Sequence, residues 1–446
     1  MNVSWMHRAI RVVALAGVLL ATAAHATLPI EDWRLPNGAR VLFVENRALP
    51  MVDVSVDFPA GYGREPAGRS GVASMTLSML RLGAGGLAES DIAARLADTG
   101  GQMSTRFDAD RGGYQLRTLS SLPERDVTVD LLARVIERPA FPADVLDREK
   151  SRLLAGIREA DTKPESIAER AFAKALYGNH PYGRRSSGEL DTVATLGVDD
   201  LRRFYATYYR SDYAVVAIIG DLSHAEADAM ARQLTDDLPR ADAPLPPLPP
   251  VPPLAVAQER HVAHPASQSH ILVGQPGMQR RDPDYFALFV GNYMLGGGGF
   301  SSRLVDEVRQ KRGLAYSSYS YFVTYERQGP FQMSLQTKKN QAAEALAVVR
   351  ETLRRYVEEG PSQQELDAAK QNLIGGFPLR IDSNRKIHDY LGIIGFYDLP
   401  LDYLDRFVDN VQAVTLDQVR EAFHRRIQLD RMVTVVVGPE PEPLTQ

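Results

Sequence analysis

Residues 51–58 alternate apolar and polar side chains, Met51-Val52-Asp53-Val54-Ser55-Val56-Asp57-Phe58, and a period of two predicts a half-buried strand. Before it, residues 33–44 form two short apolar stretches around Asn37-Gly38, a dipeptide that tolerates positive φ and favours a hairpin. The period then changes. From Gly71 to Gly83 the apolar positions predict a helix, with Ser74, Leu77 and Ser78 at i, i+3 and i+4 on one face. A second helix is expected over residues 90–98, with Ser90 as its N-cap and Gly100-Gly101 as its stop. Strands follow at residues 102–107 and 113–119, then amphipathic helices at 122–138 and 143–160, separated by Pro139 and Pro142. Further helices open at Lys163-Pro164 and run over residues 198–208. Residues 214–220 are apolar throughout, which predicts a strand buried on both faces.

Residues 239–257 are rich in proline and are expected to form an extended, semi-rigid linker. Beyond it the chain repeats itself. The stretch Leu146, Asp147, Lys150, Leu153, Gly156 recurs as Leu366, Asp367, Lys370, Leu373, Gly376. Asp199, Leu201, Tyr205 and the strand 215–220 recur as Asp417, Val419, Phe423 and the strand 433–438, at nearly the same offset. Helix and strand repeating in the same order point to a duplicated domain. The expected fold is α+β, with two homologous lobes, residues 27–238 and 258–446. Each is a mostly antiparallel sheet with helices packed on one face.

The N-terminus changes the setting. Arg8 and Arg11 precede an apolar run over residues 12–23 and then Ala24-His25-Ala26, the layout of a secretory signal peptide cleaved after residue 26. The run falls short of the roughly 20 residues a spanning helix needs, so no membrane span is expected after cleavage. The mature chain is expected in the periplasm. Loss of Arg8 and Arg11, with no acid, takes the formal charge from -5 to -7, which argues against nucleic acid as a partner. With no cysteine, neither a disulfide framework nor a thiolate metal site can form.

The strand 52–58, Ala60-Gly61-Tyr62-Gly63, Arg69-Ser70-Gly71-Val72-Ala73 and the helix after them resemble the pitrilysin/insulinase family of inverted-motif zinc peptidases. There the helix carries His-x-x-Glu-His. Here the two His positions are Ser74 and Ser78, the Glu position is Leu77, and the third ligand on the later helix falls at Ala155 or Gly156. Serine is a poor zinc ligand and leucine cannot take a proton, so no metal is expected in this chain. Glu149 and Glu159 flank the empty position and suit a solvated helix surface. The remaining histidines are isolated, and His261 and His264 at the start of a strand point to opposite faces.

The second lobe is different. Gly296-Gly297-Gly298-Gly299 lies between two helical segments, and Arg309 and Tyr316 follow. The resemblance implies that this Arg-x6-Tyr pair holds the substrate backbone and the developing oxyanion, with the peptide admitted past Gly297, Gly298 and Gly299. It also implies peptide contact by strand addition at residues 102–107, where the family's usual Asn-Ala is Ser104-Thr105 here. The implied protein is the zinc-less, substrate-binding subunit of a heterodimeric metallopeptidase. Its partner would carry His-x-x-Glu-His and the zinc. A structural or peptide-binding scaffold without a peptidase role is the alternative.

Overall fold

The computed structural model describes residues 29–240 and 244–439; the signal peptide read at residues 1–26 lies outside them. Six strands make the first sheet: β1 (Glu31–Arg34), β2 (Arg40–Glu45), β3 (Met51–Phe58), β4 (Gln102–Phe107), β5 (Gly112–Leu119) and β6 (Val215–Gly220), in the spatial order β1-β2-β6-β3-β5-β4. Five make the second: β7 (Gln258–Ala263), β8 (Gln268–Pro276), β9 (Ala315–Phe322), β10 (Pro330–Lys338) and β11 (Val433–Gly438), in the order β7-β11-β8-β10-β9. Setting β1 aside, the two orders are the same. The pairs β2–β6 and β7–β11 are parallel and every other pairing is antiparallel, so the sequence repeat is a repeat of topology.

The hairpin at Asn37-Gly38 forms as its residues predict. Gly38 has φ +98°, a Cβ there would lie 2.7 Å from Asp212 Cβ, and the Asn37 side-chain oxygen accepts from the Ala39 N–H at 3.0 Å.

The first lobe carries α1 (Val72–Met79), α2 (Glu89–Thr99), α3 (Leu122–Glu137), α4 (Ala143–Ala160), α5 (Pro164–Tyr177), α6 (Leu190–Ala194), α7 (Val198–Tyr208) and α8 (His224–Gln233). The second carries α9 (Tyr285–Asn292), α10 (Ala342–Glu359), α11 (Gln363–Gly375), α12 (Asn384–Phe396), α13 (Phe407–Ala413) and α14 (Leu416–Arg426). The repeated sequence segments fall on α4 and α11, α7 and α14, β6 and β11. Helix α2 starts one residue earlier than expected. Its cap is not Ser90: the Asp91 carboxylate accepts from the Ala88 N–H at 3.1 Å.

Each lobe packs its own helices on one face of its sheet, and the other face takes a helix from the opposite lobe. Ala168, Phe172, Ala175 and Leu176 of α5 bury against Leu272, Val433, Val435 and Val437 of the second sheet. Reciprocally, Leu391 of α12 buries against Val44, Ala217 and Ile219 of the first. Gly395 brings α12 so close that a Cβ would lie 2.6 Å from both Leu42 Cδ1 and Val215 Cγ1. This exchange explains why β6 and β11 are apolar on both faces. It also corrects the half-buried reading of β3. Its Asp53, Ser55 and Asp57 face is covered as well, with Asp57 paired to Arg106 at 2.9 Å and Arg106 to Asp389 of α12 at 2.8 Å.

A polar tie joins the lobes at the tip between β4 and β5. The Asp110 carboxylate accepts the hydroxyls of Tyr182 and Tyr397 and the Glu326 N–H. Residues 244–257 form neither helix nor strand, yet they are more than a spacer. Leu248 and Leu254 are buried, and the carbonyls of Pro246 and Leu248 accept from Arg64 and Arg327. Among the described residues no helix is long and apolar enough to cross a membrane.

Candidate functional site

Helix α1 sits where the resemblance implies a metal site, and most of its residues are buried. Leu77 is in the core, and its carbonyl accepts the Tyr114 hydroxyl at 2.8 Å. The Ser74 hydroxyl donates to the Gly71 carbonyl at 3.2 Å, Ser78 is exposed, and Gly156 on α4 offers no side chain. This donor set does not fit zinc. Glu149 pairs with Arg148 and Arg152, and Glu159 with Lys163, so neither carboxylate is free. Among the described residues no three His, Asp or Glu side chains converge. Four histidines are occupied too: His180 with the Pro249 carbonyl, His388 with that of Ala217, His264 with that of Thr162 and His224 with Glu31.

Sequence reasoning missed Glu65 at the mouth of α1. Its Oε1 accepts the N–H groups of Gly71 at 2.9 Å and Ala73 at 3.1 Å, closing the start of the helix. Burial pushes the Glu65 carboxyl up to about 8, and the two backbone N–H groups only partly offset that. The segment Arg64-Glu65-Pro66 gives no capping signature, because the contact loops back over six residues.

The second lobe holds a cavity of about 880 Å³. The glycine run shapes one wall. A π-helical turn over Tyr293–Gly297 and another over Val305–Gln310 bracket it, closed by N–H to carbonyl bonds from Gly298 to Tyr293 (2.8 Å) and from Lys311 to Asp306 (2.9 Å). Such widened turns recur at functional sites, because the inserted residue re-aims the side chains around it. Gly297 and Gly299 line the cavity with Arg309 and Tyr316; Gly298 shares the loop but is not in the wall. The Arg309 guanidinium lies 4.5 Å from the Tyr316 ring centre and 4.7 Å from that of Phe300. Tyr316 is 83% exposed, and Arg309 has no carboxylate within ion-pair distance among the described residues. The opposite wall is β9, the outer strand of the second sheet.

The structure thus brings Gly297, Gly299, Arg309 and Tyr316 into one cavity. Ser104 and Thr105 stand apart, on the outer strand of the first sheet, where the Ser104 hydroxyl accepts from Gln115 at 2.8 Å.

Comparisons with known proteins agree with this architecture. Residues 40–189 match the profile of the insulinase family, peptidase family M16, and residues 195–373 that of the peptidase M16 inactive domain. An uncharacterized zinc protease of Streptomyces coelicolor is 26% identical over 94% of this chain and 92% of its own length. A non-peptidase homolog of Helicobacter pylori is 25% identical over 96% and 98%. The crystal structure of a peptidase M16 inactive domain from Pseudomonas fluorescens superposes with a TM-score of 0.89 at 37% identity, covering 93% of this chain and 98% of that one. The chain belongs to the insulinase family of peptidases, family M16.

Proposed function

We propose that this chain is the substrate-binding subunit of a two-chain zinc peptidase, acting in the periplasm after its leader is removed. The partner is a family member carrying His-x-x-Glu-His. The observation that carries the reading is the contrast between the lobes. The first has only non-ligands at its metal positions, while the second keeps Arg309 and Tyr316 open to a cavity with no acid engaging the guanidinium. A guanidinium and a phenol donate hydrogen bonds to a peptide carbonyl, and more strongly as that oxygen gains charge. Contact with the Phe300 and Tyr316 rings positions the guanidinium at the cavity.

The test is reconstitution with a zinc-motif family member from the same organism. The chain alone binds no stoichiometric zinc and cleaves no peptide; the pair cleaves. Arg309→Ala or Tyr316→Phe lowers kcat of the pair by about one to three decades, up to the loss seen when an oxyanion donor is removed. One tightly held zinc per isolated chain overturns the reading. Unchanged rates in both variants would leave the pair only a structural part.

A further inference from the structure

The cavity that holds Arg309 is lined by two more arginines that no pattern in the sequence singled out. Arg280 follows β8. Its backbone N–H is fixed to the Tyr325 carbonyl at 2.8 Å, its guanidinium lies 5.1 Å from the Tyr397 ring centre, and its Nε is buried without a hydrogen-bond partner. Arg380 closes the turn after α11, 6.0 Å from the Phe289 ring centre. None of Arg280, Arg309 and Arg380 has an ion-pair partner among the described residues, and the cavity wall contains no aspartate or glutamate.

Acids outnumber bases, 56 to 51, and arginines close by are compensated: Arg303 pairs with Glu365, and Arg426 with Asp282 and Asp284. Arg309 and Arg380, with no acid in this wall, and Arg280 at its edge, where a second cavity lined by Glu326 and Asp398 begins, give the cavity a net positive potential. A buried Nε with no acceptor costs free energy until a ligand supplies one. Aromatic rings of Phe289, Phe300 and Tyr316 stand beside Arg380 and Arg309 and offer apolar contact to whatever brings the negative charge.

We propose that this cavity selects peptides bearing carboxylates, with Arg280 and Arg380 as the residues that set the preference. The inference rests on the peptide-binding reading above and adds the substrate class to it. A carboxylate can come from Asp or Glu side chains or from a peptide C-terminus; both accept paired N–H groups from a guanidinium in the same way.

The experiment is fluorescence anisotropy of the purified mature chain with short labelled peptides. One carries several Glu residues, a second has Gln in their place and a third Lys; each is made with a free and an amidated C-terminus. The Glu peptide should bind about tenfold or more tightly than the Gln peptide, the discrimination a charge-assisted hydrogen bond supplies, and the gap should narrow with added salt. Arg280→Gln and Arg380→Gln should each erase much of that gap while leaving the Gln peptide's affinity in place. Arg380 is exposed, so its variant keeps the test sound if the Arg280 variant folds poorly. A gap that follows the free C-terminus instead of the Glu side chains supports the proposal and assigns the terminus as the source. Equal affinity for Glu and Gln peptides overturns the inference and leaves peptide binding intact. No binding of any of the peptides overturns both.

Discussion

Leu391→Ala tests the helix exchange on which the fold rests. Leu391 belongs to the second lobe by sequence, yet its fully buried side chain contacts Val44, Ala217 and Ile219 of the first sheet. Truncation removes three buried carbons, worth about 2.4 kcal/mol in transfer free energy. Strands β2 and β6 are held by hydrogen bonds on both sides and cannot move in to fill the gap, so a cavity cost of about 1 kcal/mol is added. The expected loss is about 3.5 kcal/mol, a large part of the roughly 5–15 kcal/mol that holds a typical domain together. The assay is urea unfolding followed by the fluorescence of Trp33, the one tryptophan among the described residues. It sits on β1 with its indole N–H bonded to Asp228 at 2.9 Å, so it reports the first lobe. Hydrogen exchange in peptides covering β8 and β11 reports the second. Both should lose protection together, because α12 leaves one lobe to cover the other. A loss below about 1 kcal/mol, or a shift at Trp33 with β8 and β11 unchanged, would refute the interlock.

Two further outcomes follow from single groups. The Glu65 carboxyl, with its folded-state value raised from 4.5 to about 8, favours the folded chain fully below pH 4.5; stability should fall by up to about 5 kcal/mol as pH rises from there through about 8, a slope that Glu65→Gln flattens in pH-dependent melts. Gly395→Val should destabilise by about 1–3 kcal/mol in denaturant titrations, since its Cβ meets Leu42 and Val215 at 2.6 Å; a neutral result would mean that α12 can lift off the sheet.

The strands were legible because their signals are local. Asn37-Gly38 marks its own turn, and the unbroken apolar run of β6 announces two covered faces. The duplication was legible because it is written twice. Which helix covers which sheet was not: the apolar stripes of α5 and α12 say that each helix is buried on one side, and nothing in a periodic pattern names the surface opposite. The same limit hid the second covered face of β3 and the Asp110 tie, whose partners lie 72, 216 and 287 residues away. In the cavity, Gly297, Gly299, Arg309 and Tyr316 converge because they sit close together in sequence on one helix-loop-strand unit. Ser104 and Thr105, suggested by resemblance alone, fall on the other sheet. Arg280 and Arg380 come from separate turns about 100 residues apart, and only the folded chain reveals their missing counter-charges.

The exchange of α5 and α12 also limits how this molecule can move and how it can be divided. A book that opens at its spine needs two covers that part cleanly, whereas here each cover is stitched to the facing page. Swinging the halves apart would strip Phe172 from one sheet and Leu391 from the other, baring two apolar faces at once. A cut in the proline strap would likewise yield two fragments that are each half undressed and prone to aggregate, rather than two working domains. Admission of a ligand is left to smaller devices within the chain, the glycine run among them, or to the approach and departure of a second body.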